Sequence, residues 1–156
     1  MSKVTPATRV LDRAGVVYGL RTYDYDPGAD SIGRHAAQSL GVDPAIMFKS
    51  LMTLVDGKPV CAVLPSDREA ALKRLAQAVG GKSAAMMAPD KAERMTGYKV
   101  GGISPLGQRR ACPVVVEAAA LDHPQIFVNG GQRGLQIQIA PADLIAALGA
   151  AIASFS

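Results

Sequence analysis

Few residues in this chain are placed to do chemistry. Lys49 stands between Phe48 and Ser50 in an apolar stretch and reads as an amine that lays its stem on the core and lifts its charge to solvent. Asp24, Asp26 and Asp30 imitate the opening of a calcium loop. Ala29 stands where that loop needs glycine and His35 where it needs a bidentate acid, so the acids read as a solvated turn. Cys61 and Cys112 sit in apolar runs with no cation or helix start beside them, the setting of small core residues rather than nucleophiles. His35 and His123 are far apart in sequence, so no metal-ligand cluster can be drawn, and no GxSxG elbow occurs. Gly101, Gly102 and Gly107 fit neither GxxxxGK[ST], where Gln108 replaces the lysine, nor GxGxxG. Lys73-Arg74 and Arg109-Arg110 are basic pairs without interleaved aromatics, which supply only 4% of the chain, so no base-stacking stripe is present.

What remains is backbone chemistry. TGYKVGGISPLGQRR and VNGGQRGL are two glycine-rich loops in one small domain. Such loops bring N–H groups close to a ligand without side-chain obstruction, and a pocket walled by them can bind an anionic or polar group. The alternative is that the glycines only satisfy tight turns, and both readings stay open on the residues alone.

These loops need elements to hold them. Thr5, Pro6 and Gly15 cap, open and close a first helix; VVYGLRTYDY reads as a strand, broken by DPGAD. Ser31 to Leu40 forms a second helix stopped by Gly41, and Asp43-Pro44 starts a helical turn carrying Ile46, Met47 and Phe48. Lys49–Val55 and Pro59–Leu64 flank Asp56-Gly57-Lys58, a hairpin signature. Ser66-Asp67-Arg68-Glu69 reads as a capping box leading into REAALKRLAQAV, which Gly80-Gly81 ends. A short strand near Ala84–Met87 and a helical turn from Asp90 to Met95 follow. CPVVVEAA, QIFVNGG and GLQIQIA read as strands, and PADLIAALGAAIASF as a closing helix. The result is one mixed α+β domain over residues 1–156, with roughly six or seven strands and about five helices.

Composition sets the class. The 156 residues are 49% hydrophobic and 19% charged, which excludes a disordered chain. No run reaches the ~18 to 20 apolar residues of a membrane span, and MSKVTPATRV lacks a signal-peptide core, so a cytoplasmic protein is expected. A formal charge of +4 permits a polyanionic partner without requiring one.

TGYKVGGISPLGQRR followed by FVNGGQRGLQIQIAPADL closely resembles the YbaK/EbsC family of aminoacyl-tRNA deacylases, free-standing relatives of the editing domain of bacterial prolyl-tRNA synthetases. The resemblance covers most of the chain, with RTYDYDP similar to the family's tyrosine-containing strand and DPAIMFKSLM to its lysine-bearing segment. It implies a single mixed, strongly curved, barrel-like sheet flanked by helices. It places the functional lysine at Lys49 and the strand tyrosine at Tyr23. Ile32, Ser50, Gly101, Gly102, Ile103, Ser104, Asn129, Gly130 and Gly131 are the implied aminoacyl-pocket residues. No metal, cofactor or membrane is implied. The partners are the 3′ end of an aminoacyl-tRNA and prolyl-tRNA synthetase.

The implied reaction is deacylation of mischarged tRNA, with Cys-tRNA(Pro) the leading substrate and its own thiol the nucleophile, since a thiol is a few per cent thiolate at neutral pH. Lys49 and glycine N–H groups would position the ester and stabilise the oxyanion. Asn129 departs from a serine in the family pattern, Gln136 from an acid or serine, Ser50 from threonine, and Ile32-Gly33-Arg34-His35 from Phe-Gly-acid-acid. These departures admit alanine, serine or another small residue as the aminoacyl group. A non-catalytic module for a tRNA 3′ end or for the synthetase, and a general small-molecule binding protein, are the competing classes.

Overall fold

The computed structural model describes residues 4–29 and 31–156; Asp30 of the acidic turn lies outside them. Helix α1 (Pro6–Ala14) starts as expected: Thr5 Oγ1 accepts from Thr8 N, Thr8 Oγ1 accepts from Thr5 N, and left-handed Gly15 closes it. Strand β1 (Gly19–Thr22) is shorter than its apolar text, and helix α2 (Ile32–Leu40) carries the expected Ser31 and Gly41 caps. Strands β2 (Phe48–Val55) and β3 (Lys58–Pro65) form the hairpin. Asp56 and Gly57 at its tip have φ of 49° and 80°, the two positive angles a type I′ turn needs.

Helix α3 (Leu72–Ala78) begins later than its sequence suggests and has no side-chain cap. Ser66 is buried, its hydroxyl donating to Pro44 O and its N–H to Met47 O, so it is occupied by tertiary bonds and caps nothing. After β4 (Ala84–Met86), α4 (Pro89–Thr96) and β5 (Val114–Glu117) comes a 3-10 turn over Ala118–Asp122, followed by β6 (Ile126–Asn129), β7 (Leu135–Ile139) and α5 (Pro141–Leu148). The closing helix is interrupted by left-handed Gly149, and the remainder forms β8 (Ala151–Ala153) beside β5.

The mixed α+β class holds, but the single barrel-like sheet does not. Among the described residues there are two sheets, β1-β7-β6 and β4-β2-β3-β5-β8, and neither closes on itself. They touch where Met47 bridges Phe127, with Phe127 N–H donating to Ile46 O. Among the described residues no ladder develops past that bridge, and the neighbouring edge of β2 borders a cavity. Strand β4 pairs with Thr53, Leu54 and Val55 alone, since Pro89 opens α4 three residues after Met86 and proline cannot extend a ladder. Among the described residues no helix is long and apolar enough to cross a membrane.

Candidate functional site

The free edge of β2 fixes the site. Met52 O accepts from Met87 N–H on the β4 side. Two residues earlier, Ser50 has the same strand orientation, so its backbone N–H and C=O face the edge that β4 leaves unpaired. A cavity of about 240 Å³ occupies this edge, lined by Ser31, Ile32 and Gly33 of α2 and its cap, Met47 to Leu51, Val100, Gly101 and Ile103, and Asn129 and Gln136. Lys49 and Ser50 project from opposite faces of the strand, and both reach the cavity because it wraps the edge. Lys49 also borders a second, polar hollow of about 580 Å³ with Arg34, His35, Asp67, Arg68 and Glu69.

Half-buried Lys49 has its pKa held below the ordinary lysine range, chiefly by burial and further by Arg34, while Glu69 and Asp67 oppose the shift. Around the cavity three buried polar atoms have no hydrogen-bond partner among the described residues: Ser50 Oγ, Gln136 Oε1 and Tyr23 Oη. Gln136 is 4% exposed. Such atoms are uncommon in native interiors, where most buried polar groups are paired. Burial raises the Tyr23 pKa; Gln136 lies near enough to oppose that shift but misses hydrogen-bonding geometry. Tyr23 packs edge-on against His35, ring centres 6.0 Å apart, behind the cavity rather than on its wall.

The structure brings six of the expected residues together on the wall: Ile32, Lys49, Ser50, Gly101, Ile103 and Asn129. Gly102, Ser104, Gly130 and Gly131 lie behind it and hold the loops. Gly102 N–H donates to Lys99 O, Gly130 N–H to Leu135 O and Gly131 N–H to Asn129 Oδ1, so these three donors are already engaged. A Cβ on Gly102 would sit 2.8 Å from Arg133 N, which shows the close approach of the two loops. Ser104 is fully buried and its hydroxyl accepts from Leu106 N. Asn129 ties the loops together, its Nδ2 donating to Gly101 O at 3.2 Å. Thr5 Oγ1 donates to Gly130 O at 2.6 Å and anchors the second loop to α1.

Gln136 also lines the wall; the strict alternation of GLQIQIA places it in a strand but does not show which sheet face meets a cavity. The other polar candidates have structural surroundings. Burial pushes the Cys61 thiol up to about 12, far from a thiolate nucleophile. Asp26 Oδ1 accepts from Gly28 N–H, a local turn.

Comparison with known proteins bears on this geometry. Residues 26–147 match the family model of the aminoacyl-tRNA editing domain. The provisionally named Cys-tRNA(Pro)/Cys-tRNA(Cys) deacylase EbsC of Enterococcus faecalis is 34% identical over 143 residues, 90% of this chain and 86% of EbsC. A proline–tRNA ligase of Nitratidesulfovibrio vulgaris is 36% identical over 81 residues, 52% of this chain but 14% of the ligase. Among solved structures, a provisionally assigned trans-editing enzyme for prolyl tRNA synthetase shares the fold at TM-score 0.80 and 22% identity, covering 99% of each chain. The hypothetical protein APE2540 does so at TM-score 0.86 and 23% identity, covering 97% of this chain and 99% of its own.

Proposed function

Because the chain belongs to the aminoacyl-tRNA editing domain family, we propose that residues 1–156 act as a single domain that deacylates mischarged aminoacyl-tRNA in the Lys49 cavity, with cysteine on proline tRNA the leading substrate. The observation that carries this reading is a small cavity with a cation at its rim and two unpartnered buried acceptors, Ser50 Oγ and Gln136 Oε1, in its wall.

An aminoacyl ester supplies what that wall lacks. Its α-ammonium carries three donors, which can satisfy Gln136 Oε1 and Ser50 Oγ at the far side from Lys49. Ile32 and Ile103 then enclose a small side chain, and the ester carbonyl lies toward Lys49. With a cysteinyl substrate the thiolate attacks the carbonyl carbon. A C–S bond forms, the bond to the ribose oxygen breaks, and that oxygen takes a proton to restore the tRNA hydroxyl. Water then opens the cyclic thioester. The developing oxyanion is met by the Lys49 ammonium, whose partial desolvation strengthens the attraction, and by whichever of the Gly101 and Ile103 N–H groups face the cavity. Folding the bound aminoacyl group into attacking geometry supplies the remaining acceleration through orientation. No protein nucleophile is needed. For alanyl or seryl esters, water attacks in place of the thiol.

Prolyl-tRNA synthetase is the partner of this reading, since the mischarged tRNA leaves that enzyme in the cytoplasm. The test is single-turnover deacylation of cysteinyl-, alanyl-, seryl- and prolyl-tRNA(Pro), with and without the synthetase. Rapid loss of cysteine that depends on Lys49 is expected. Loss of alanine or serine instead keeps the deacylase and overturns the thiol route. Saturable binding without turnover of any member would make the chain a binding module.

A further inference from the structure

A third concavity, of about 500 Å³, lies toward the other end of the β2–β3 hairpin from Lys49. Its wall is Pro59, Lys91, Arg94, Met95, Arg109 and Arg110: four cations and no acid. The cations come from separate parts of the chain. Lys91 and Arg94 are three residues apart on α4 and share a face. Arg109 and Arg110 are held against the end of that helix by their backbone, Arg109 N–H donating to Thr96 O and Arg110 N–H to Met95 O. The Arg109 side chain lies over Gly97, where a Cβ would be 3.4 Å from its Cβ and Nε.

The nearby acids cancel part of this charge: α4 itself carries Asp90 and Glu93, and Glu93 turns toward the first glycine loop, where its Oε2 accepts from Val100 N–H. Asp90 pairs with Arg94 at 3.5 Å, but both side chains are 74% exposed, where such a pair is weak and easily exchanged. Asp56, in the adjoining hollow with Lys58 and Arg110, is held ionised by the backbone N–H groups of Lys82 and Ser83, and its charge is offset by Lys58. Four exposed cations around a concavity focus a positive potential on whatever polyanion docks there.

We propose that this patch binds phosphates of the tRNA acceptor stem; the proposal rests on the editing function given above. Lys49 and Leu54, the residue that pairs with Pro59, are separated by about 17 Å of strand at ~3.4 Å per residue. An RNA esterified in the Lys49 cavity leads its sugar–phosphate backbone away through a single-stranded 3′ tail, so phosphates of that tail and of the stem next to it can reach this distance. The loop from Gly97 to Arg110 joins the two places, since Val100, Gly101 and Ile103 line the aminoacyl cavity and Arg109 and Arg110 the patch.

The test is the quadruple variant Lys91→Gln, Arg94→Gln, Arg109→Gln, Arg110→Gln in the full chain, with wild-type melting as the fold control. Binding of uncharged tRNA(Pro) is measured from 50 to 200 mM salt, and deacylation on aminoacyl-tRNA and on aminoacyl-adenosine, which has no stem. Each neutralised cation should flatten the dependence of log affinity on log salt by about 0.7 to 0.9, so the quadruple variant by about 3. KM for aminoacyl-tRNA should rise at least ~10-fold while the rate on aminoacyl-adenosine stays unchanged. Should the quadruple variant not fold, Arg109→Gln and Lys91→Gln singly must each lower the slope. An unchanged slope and KM overturn the proposal. So does a loss confined to stimulation by prolyl-tRNA synthetase, which would make the patch a protein-docking surface. If wild type deacylates nothing, the editing reading fails, while the salt slope of tRNA binding still decides the patch.

Discussion

Two buried polar side chains of nearly the same size behave in opposite ways. Glu117, at the end of β5, is 2% exposed and saturated. Its Oε1 accepts from Phe155 N and Ser156 N at 3.0 Å and from Ser156 Oγ at 2.6 Å, and its Oε2 accepts from Ala119 N. Burial alone would raise its pKa, but these donors outweigh it and hold the carboxyl below the ordinary glutamate value. Gln136, on β7, is equally enclosed and leaves its Oε1 with nothing. The first group stabilises the fold by joining the C-terminal segment to the core. On the function proposed above, the second keeps its acceptor free for the donors of a bound ligand. Residue type and burial do not separate the two; the partners do.

The largest effect should come from Lys49→Ala. Loss of a charge that meets the oxyanion should cost about 10²- to 10³-fold in single-turnover rate. Because Lys49 is half-buried and its charged form is disfavoured there, the melting temperature should stay level or rise. A drop in stability with an unchanged rate would move Lys49 to the structural side of the comparison.

Glu117→Ala should do the reverse. Four donors are left without an acceptor, a loss of about 3 kcal/mol, or roughly 6 to 12 °C in melting temperature. Lys49-dependent chemistry at temperatures where the variant is folded should be retained. The pH dependence has a definite sign. A carboxyl whose folded pKa lies below its unfolded value of about 4.3 stabilises fully above that value, and the contribution is lost as pH falls through the folded pKa. Acid melting curves of wild type and Glu117→Gln should therefore converge toward low pH.

Gln136→Leu sharpens the contrast. Replacing a side chain whose Oε1 is unpartnered with an apolar one should leave stability unchanged or raise it by about 1 kcal/mol, while the deacylation rate falls about 10-fold. A lower melting temperature with full activity would show that Gln136 is structural after all. The smallest effect concerns pH. Activity that needs protonated Lys49 should decline with rising pH through a pKa below the ordinary lysine value of about 10.4. In Lys49→Arg, whose guanidinium stays charged, that decline should vanish even if the overall rate is lower.

Much of this was legible from local chemistry. Thr5, Pro6 and Gly15 delimit α1, and Asp56-Gly57 fixes the hairpin and hence where Lys49 falls, because these residues act on their immediate neighbours. Features decided by distant partners were not. Ser66 has the pattern of a cap and is claimed instead by Pro44 and Met47. The glycines of both loops look alike in sequence, yet Gly101 lines the cavity while Gly102, Gly130 and Gly131 spend their donors inside the protein. Arg109-Arg110 reads in sequence as an isolated basic pair, and only the fold sets Lys91 and Arg94 of α4 beside it. The resemblance supplied Lys49; it did not show which of its neighbours would be left unsatisfied.

The short β4 has one more consequence. A bare strand edge is the part of a sheet most prone to recruit another chain and begin aggregation. Here that edge is sheltered by the start of α2 and the first glycine loop, so the shelter is also the wall of the site. What keeps the edge bare is Pro89, which turns the chain into α4 before β4 can run alongside Leu51 and Lys49. A variant that let β4 continue would gain sheet and lose the cavity, with every residue around Lys49 still in place. The length of one strand thus decides whether the site exists, although no residue of that strand lines it.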